Sequence, residues 1–410
     1  MDIDLLLELD KKRREKLAIL ERFRAKKNKT SKEIGKIKDA QKKEALISEM
    51  RKLDKEMMKV EREFKKIDSE YKKLMASVPN IYSPDTPVGL DERANREIYR
   101  WGEIPRFDFP IKDHIQLGKE LDLIDLERGA KTSGFRGYYL KNEAVLLQMG
   151  LIQLALEKLR KKGFTLMIPP TILKEFALFG AGFFPQGKNE IYQIANPGKL
   201  ANGQMMKEKL FLAGTSEPSL LAYYADTLLE EKDLPIKLAG FSPCYRSEVG
   251  SYGKDTRGLY RLHEFMKVEQ VIICRADLNE SHKFFEELSE NAQELLRELK
   301  LPHRVVQICT GDMGLGKYEM RDIETWMPSY NSYRETHSNS NLTDWQARRL
   351  NIKYRKHDGS REFVFTLNNT MIASPRILIA ILENYQQRDG SVKVPEILQD
   401  YVKKKIIKRG

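Results

Sequence analysis

From Leu46 onward, apolar side chains fall at Met50, Leu53, Met57, Val60, Phe64, Ile67, Tyr71, Leu74 and Val78, with spacings that alternate between four and three without a break. Held over that length, such a repeat is the seam of a coiled coil, so this stretch must be a long helix laid against another. The partner segment is less regular: Leu6, Leu9, Leu17, Leu20 and Phe23, then a basic stretch, then Ile34 and Ile37. The pattern fails around Asp39-Ala40-Gln41. A short turn there folds the two halves into an antiparallel hairpin with arms of about 50 Å. Two helices enclose little core, so the hairpin is expected to project from a larger body. Pro79, Pro84 and Pro87 stop it, and the residues up to about Arg100 read as a linker. Residues 1–95 are thus expected to form hairpin and linker, and residues 96–410 the body.

The 410-residue chain carries a formal charge of +12. Residues 1–80 hold 24 lysines and arginines against 16 acidic residues, so +8 of that excess lies in the hairpin. A basic rod can lie along a nucleic-acid backbone through phosphate contacts. A dimerisation arm, a protein-binding rod or a merely solvated lysine-rich face accounts for the segment equally well. Cys244, Cys274 and Cys309 are odd in number and far apart, which excludes a disulfide framework or a cysteine zinc site. The six histidines form no paired ligand pattern. Asp2, Asp4, Glu8 and Asp10 interrupt the first twenty residues, unlike a signal peptide, and no apolar run is long enough to span a bilayer. A cytoplasmic protein with no membrane association is expected.

Beyond the linker, helices and strands mix. Glu143 to Lys162 and Asn279 to Lys300 read as amphipathic helices, Gly163 to Pro170 as a strand closed by a proline pair, Glu362 to Leu367 as a strand, and Met371 to Gln386 as a helix. Regular crossover helices, a dinucleotide-binding glycine fingerprint and a P-loop are all missing from the sequence. That argues for an α+β domain built on an antiparallel sheet flanked by helices rather than for a Rossmann or P-loop fold.

Tyr245-Arg246-Ser247-Glu248 sits between two strand-like runs, Lys237 to Phe241 and Leu262 to Ile273, the second containing Phe265. Between them Val249 to Gly258 is a turn-rich loop too polar to be core. Far downstream, Leu367-Asn368-Asn369-Thr370 is followed by Arg376 at the start of a helix. Arginine forks match phosphate oxygens, and an aromatic face can stack on a purine. A basic group at a helix N-terminus is electrostatically disfavoured unless an anion sits there. The two arginines therefore point to a bound nucleotide triphosphate and adenylate chemistry.

At these residues the chain resembles the seryl-tRNA synthetases, a family of class II aminoacyl-tRNA synthetases, over nearly its whole length. Asn28 to Lys36 is similar to that family's coiled-coil arm, and Val78 to Gly89 to its linker. Three signatures follow in order: Gly163 to Pro170; Tyr245 to Gly258 with His263 to Glu269; and Thr366 to Arg376 with Ala380 to Gln386. Gly214-Thr215-Ser216-Glu217 and Gln346 to Asn351 lie between them. The resemblance starts part-way along the family's first arm helix, which implies a cost to tRNA docking rather than to adenylation.

The resemblance implies a class II synthetase fold preceded by the hairpin, with ATP and Mg²⁺ as cofactors, L-serine as substrate and tRNA(Ser) as partner, tRNA(Sec) being left open. Arg246 and Arg376 are the implied catalytic residues. Arg246 would hold the α-phosphate and the serine carboxylate, and Arg376 the far end of the triphosphate. Phe265 would stack on adenine, with Ser247 and Glu248 beside the nucleotide. Glu335, Thr336, His337 and Ser338 match the segment for ATP and metal, Glu335 and Ser338 reaching Mg²⁺ through ATP. His337 stands where serine is frequent and is either a substitute contact or a packing change. Thr215, Ser216, Glu217, Glu269 and Thr370 match the serine-binding positions, with Glu269 reading the hydroxyl and Thr215 and Glu217 the ammonium end. Outside that context, Glu269 could simply pair with Lys267 or Arg261 at the surface. The first signature implies a homodimer. Two rivals stand beside the ligase: a paralogue loading another acceptor, and a catalytically silent coiled-coil protein. The lysine-rich tail from Lys403 to Arg409 carries no assigned role.

Overall fold

The seam expected at residues 46–78 forms as its period requires as far as Leu74, and the helix that carries it ends at Met75, before Val78. Helix α1 (Ile3–Ile34) and helix α2 (Ala40–Met75) pair along it, within the first of two compact units, Met1–Pro79 and Asn80–Gly410. The computed structural model describes residues 2–35, 37, 39–196, 198–199, 201–249 and 257–409. Asp2 and Asp39 cap the two helices, each side chain accepting backbone N–H groups of the first turn. The second helix thus begins at the point where the pattern was expected to turn, and Lys36 and Lys38 in the connection lie outside the described residues. Cross-hairpin pairs run in opposite order: Arg13 lies 4.7 Å from the Tyr71 ring, Lys16 bonds Glu63 at 2.6 Å, and Lys27 bonds Asp54 at 2.6 Å. The partners are therefore antiparallel.

Those pairs also explain the irregular first seam. Leu6, Leu9, Arg13, Lys16, Leu20, Phe23, Lys27, Thr30 and Ile34 are buried or half-buried, and their spacing is an unbroken three–four alternation. Lys16 and Lys27 occupy seam positions by laying their stems along the interface and sending their ammonium groups to carboxylates of the facing helix, and Arg13 lies over the Tyr71 ring.

In the second unit, the segment expected as a linker is fixed in place. The Asn80 amide donates to the Leu342 carbonyl at 2.9 Å, Ser83 N–H to Tyr318 at 2.7 Å, and Thr310 N–H to Pro87 at 2.9 Å. Eight strands form the main sheet: β1 (Arg96–Trp101), β2 (Thr165–Met167), β3 (Ile236–Tyr245), β4 (Glu264–Cys274), β5 (His303–Gln307), β6 (Glu319–Met327), β7 (Ser332–Asn341) and β8 (Phe365–Ala373). Their spatial order is β1-β5-β6-β7-β8-β4-β3-β2, antiparallel except for the β2–β3 edge pair.

Alternation along the central strands decides which face does what. Gln270, Asn339 and Asn369 point to one face, where their amides donate to carbonyls of helix α4 (Leu278–Glu298), at Leu288, Phe285 and Leu288 respectively. Leu288, Ala292, Leu295 and Leu296 of that helix are fully buried in the main core. Helix α3 (Glu143–Lys161) and helix α5 (Ser374–Asn384) complete that core. The other face carries the cleft.

Three expected elements differ: residues 362–367, expected as one strand, divide between a short strand Arg361–Phe363 in a separate three-stranded sheet and β8. Met371 to Ala373 continue β8, and helix α5 starts only at Ser374, with Pro375 in its first turn where a missing N–H has no consequence. Only Thr165–Met167 of the expected Gly163 to Pro170 strand pair with a neighbour, because the proline pair removes two donors.

Candidate active site

Phe265, Lys267 and Glu269 occupy alternate positions of β4 and so share the open face of the sheet. Asn368 and Thr370 of β8 stand beside them, and Ser338 and Ser340 of β7 continue the floor. Together with Thr215, Glu217, Arg246, Glu248, Glu335 and Arg376 they line one cavity of about 250 Å³. A β-bulge sets part of this arrangement. Glu335 pairs with Glu324 and His337 with Ile323, which leaves Thr336 as the extra residue on β7. Strict alternation would place Glu335 with His337 and Asn339. The extra residue switches the phase, so Glu335 shares the cleft with Ser338 and Ser340 while His337 turns away.

At one end of the cavity the two arginines are held by backbone oxygens and rings. Arg246 Nε donates to the Gly214 carbonyl at 3.2 Å, and its guanidinium lies 5.2 Å from the Phe265 ring centre. Arg376 donates to the Glu335 carbonyl at 2.9 Å, pairs with the Glu335 carboxylate at 3.2 Å, and stacks 4.5 Å from the Tyr260 ring centre. Burial works against the Arg376 charge, but Glu335, then Tyr260 and Glu248, outweigh it and raise its pKa. Glu248 takes a left-handed φ of 53° and pairs with Arg261 at 3.2 Å. Of the polar loop expected from Val249 to Gly258, residues 250–256 lie outside the described residues.

The cavity also holds two buried carboxylates. Glu269 Oε2 meets Lys267 Nζ at 2.6 Å and accepts the Thr370 hydroxyl at 3.3 Å. Glu217 Oε1 accepts from the side-chain amides of Gln346 at 2.6 Å and Asn368 at 2.8 Å. Burial pushes the Glu217 pKa up, and Lys317 and the Gln346 bond oppose that shift. A concave site that brings carboxylates and guanidinium groups into one cavity suits a ligand that carries both cationic and anionic groups.

Three residues expected at the site lie elsewhere. The Ser216 hydroxyl donates to the Gly240 carbonyl at 3.3 Å within the core. Ser247 turns outward and donates to the Asn189 carbonyl at 2.9 Å. His337 is buried on the far side of β7, its Nδ1 at 2.9 Å from the Thr336 hydroxyl, and burial lowers its pKa to about 3, aided by His303. Thr336 lines the cavity, but its hydroxyl is engaged by Thr325 at 2.7 Å. Conversely, Lys317 and Ser340 line the cavity with no sequence signal to mark them. Lys267 does pair with Glu269, yet both are buried in the cleft rather than at the surface.

A further support went unread. The buried Glu383 carboxylate accepts from His114 N–H at 3.0 Å, His114 Nδ1 at 2.8 Å, Ser329 N–H at 2.9 Å and the Ser329 hydroxyl at 2.8 Å. His114 Nε2 in turn accepts the Leu259 N–H at 3.1 Å, so its proton sits on Nδ1. This pins the chain where it re-enters the cleft at Leu259 and Tyr260. Gly258 must be glycine here: its φ is +75°, and a Cβ would stand 2.0 Å from His114 Nε2.

Known proteins resemble this chain over nearly its whole length. Residues 200–385 match the family described as tRNA synthetase class II core domain (G, H, P, S and T), and residues 1–82 match the seryl-tRNA synthetase N-terminal domain. The chain is similar to the serine–tRNA ligase of Dictyoglomus thermophilum, at 45% identity over 403 residues that cover 98% of this chain and 91% of that one. Among solved structures it is similar to the seryl-tRNA synthetase from Pyrococcus horikoshii complexed with ATP, with a TM-score of 0.85 and 39% identity, covering 100% of this chain and 93% of that one. The cytoplasmic serine–tRNA ligase from Naegleria fowleri in complex with AMP has a TM-score of 0.82 and 30% identity over the same shares.

Proposed function

We propose, since this chain belongs to the seryl-tRNA synthetase family and is an aminoacyl-tRNA ligase for serine, that Arg246 and Arg376 grip a single ATP while Glu269 and Glu217 receive serine beside it. The observation that carries the reading is the meeting of both arginines, from distant parts of the chain, in the wall of one cavity with Phe265. The serine carboxylate oxygen attacks the α-phosphorus, a P–O bond forms, and the bond to the leaving pyrophosphate breaks. The nucleophile is already anionic, so no general base is needed. Arg246 orients both reacting groups and neutralises charge that builds on the α-phosphate, and Arg376 restrains the departing end. A hydroxyl of the terminal adenosine of tRNA(Ser), or of tRNA(Sec) where a cell has one, then attacks the seryl carbonyl carbon and expels AMP.

Magnesium fits the same cleft. Glu335 and Ser338 offer hard oxygen donors on one face of β7, and among the described residues no group of three or more His, Cys, Asp or Glu could hold a metal alone. An ion held by Glu335 and Ser338 would complete its shell with phosphate oxygens and water, as magnesium prefers. When bound, it supplies further neutralisation of phosphate charge.

The basic hairpin is the tRNA-binding arm in this reading. The exposed apolar side chains Leu166 on β2 and Ile168, Ile172 and Phe176 in the segment that follows it support a homodimer through this region. A cytoplasmic location suits the substrates, and among the described residues no helix is long and apolar enough to cross a membrane. Two assays test the reading. The intact chain should exchange radiolabelled pyrophosphate into ATP only with serine present, and should charge tRNA(Ser). Residues 80–410 alone should keep the exchange and lose the charging. Absence of serine-dependent exchange in the intact chain rejects the proposal.

A further inference from the structure

The pair Lys267–Glu269 is the unusual part of the serine end. Both side chains are nearly inaccessible, at 5% and 2% exposure, and both face the cleft because they stand two apart on β4. Lys267 Nζ and the Thr370 hydroxyl approach the same carboxylate oxygen, Oε2. Neither contact uses Oε1, the second acceptor oxygen of a side chain that lines the cavity. We propose that Lys267 is a positioning residue for serine selectivity, fixing Glu269 as an ionised, acceptor-only group. The proposal rests on the reading that Glu269 meets the serine hydroxyl.

The reason is chemical. A carboxylate buried this deeply and left without a cation takes up a proton. A neutral glutamic acid both donates and accepts, so it can satisfy itself against Thr370 or Glu217 when no hydroxyl arrives. An ionised one can only accept, and its unpaired oxygen penalises any ligand that brings no O–H. Alanine is such a ligand. Selectivity for serine over alanine then depends on the cation as much as on the carboxylate. A buried pair broken on one side leaves an uncompensated charge, so the effect of removing the lysine falls on Glu269.

Other charged groups surround the pair. Glu217 approaches from the helix Glu217–Ala222, Lys317 from the loop before β6, and Arg246 from the end of β3. The Cys244 thiol on β3 is also close, and burial pushes its pKa up. Lys317 and Arg246 remain in a Lys267 variant, but among the described residues only Lys267 lies within ion-pair distance of Glu269. Glu217 and Cys244 titrate in both proteins, so the informative quantity is the ratio of variant to wild type.

The test is serine-dependent pyrophosphate exchange with Lys267→Met, Lys267→Arg and Glu269→Ala. Lys267→Met should raise the KM for serine at neutral pH, and its KM ratio to wild type should fall as pH rises from 6.5 to 8.5, because alkali restores the carboxylate. Its preference for serine over alanine in kcat/KM should drop at least about 10-fold, and Lys267→Arg should recover most of that preference. Lys267→Gln gives the same readout if the Met variant does not fold. A flat ratio with wild-type selectivity in Lys267→Met, while Glu269→Ala loses serine activity, overturns the role of Lys267 and leaves the Glu269 reading standing. Full serine activity in Glu269→Ala overturns both.

Discussion

In the hairpin, some side chains that hold the helices together are also ones that solvent reaches: Arg13, Lys16 and Lys27 sit in the seam, half-buried, the two lysines paired with carboxylates across it and Arg13 laid over the Tyr71 ring. In the cleft of the larger unit, polar groups are buried and each is fixed by several neighbours, as Glu383, Glu217 and Glu269 illustrate. The first arrangement spreads its stability over many interchangeable contacts. The second concentrates function in a few atoms whose positions are determined by the sheet's alternation and by one bulge. The hairpin should therefore tolerate single changes that the cleft does not.

The sharpest expected contrast is Arg376→Ala. Its guanidinium is held by the Glu335 carbonyl and carboxylate and by the Tyr260 ring, so its charge is in place before a ligand arrives. Serine-dependent pyrophosphate exchange should fall about 10²- to 10³-fold, the effect of removing one preorganised charge-stabilising donor. Steady-state exchange at saturating serine measures it. Activity within tenfold of wild type would mean the cleft shares its load as the hairpin does.

Acid sensitivity separates the two regions next. His303 and His337 are buried behind the cleft, and desolvation lowers their pKa values to about 4 and about 3. Below the unfolded value near 6.5, the unfolded chain binds protons that the folded chain excludes, so stability is intact above that pH and declines as pH falls toward the folded values. The slope reaches about 1.4 kcal/mol per pH unit for each histidine. Chemical denaturation between pH 7 and 5, comparing the wild type with His337→Asn, should show a shallower acid limb in the variant. Hairpin melting followed in the same series should not share that limb.

What the sequence reveals follows the same division. The seam of α2 is legible because every position in it is apolar. That of α1 is hidden, since polar residues with long stems fill Arg13, Lys16 and Lys27. In the cleft, Arg246, Glu269, Thr370 and Arg376 stand out because they lie in ordered motifs, and all four reach one cavity. Of the two readings of His337, contact or packing change, the structure matches packing: a bulge at Thr336 puts it out of phase with Glu335, and a bulge leaves no mark in a strand's composition. Lys317 lies in a glycine-flanked loop with no period at all, so only the folded chain brings it to Glu217. The late start of α5 is a different matter: Ser374-Pro375 is a helix-start signal that competes with the apolar run from Met371.

The smallest expected effect tests the hairpin itself. Lys16 occupies a seam position and pairs with Glu63, with about a third of its side chain exposed at 32%. Replacing it with Met keeps an unbranched stem of similar reach and removes the charge. If the seam works through buried stems, amide exchange protection around Leu20, a side chain only 1% exposed, should stay within about fivefold of wild type, the span that exposed ion pairs cover. High salt should shrink even that difference, because an exposed pair is screened. A larger loss confined to residues near Leu20 would make the Lys16–Glu63 contact a register-setting pair, as single polar seam residues can be. In that case the hairpin, like the cleft, would depend on individual polar atoms, and the contrast between the two regions would fail at its weakest point.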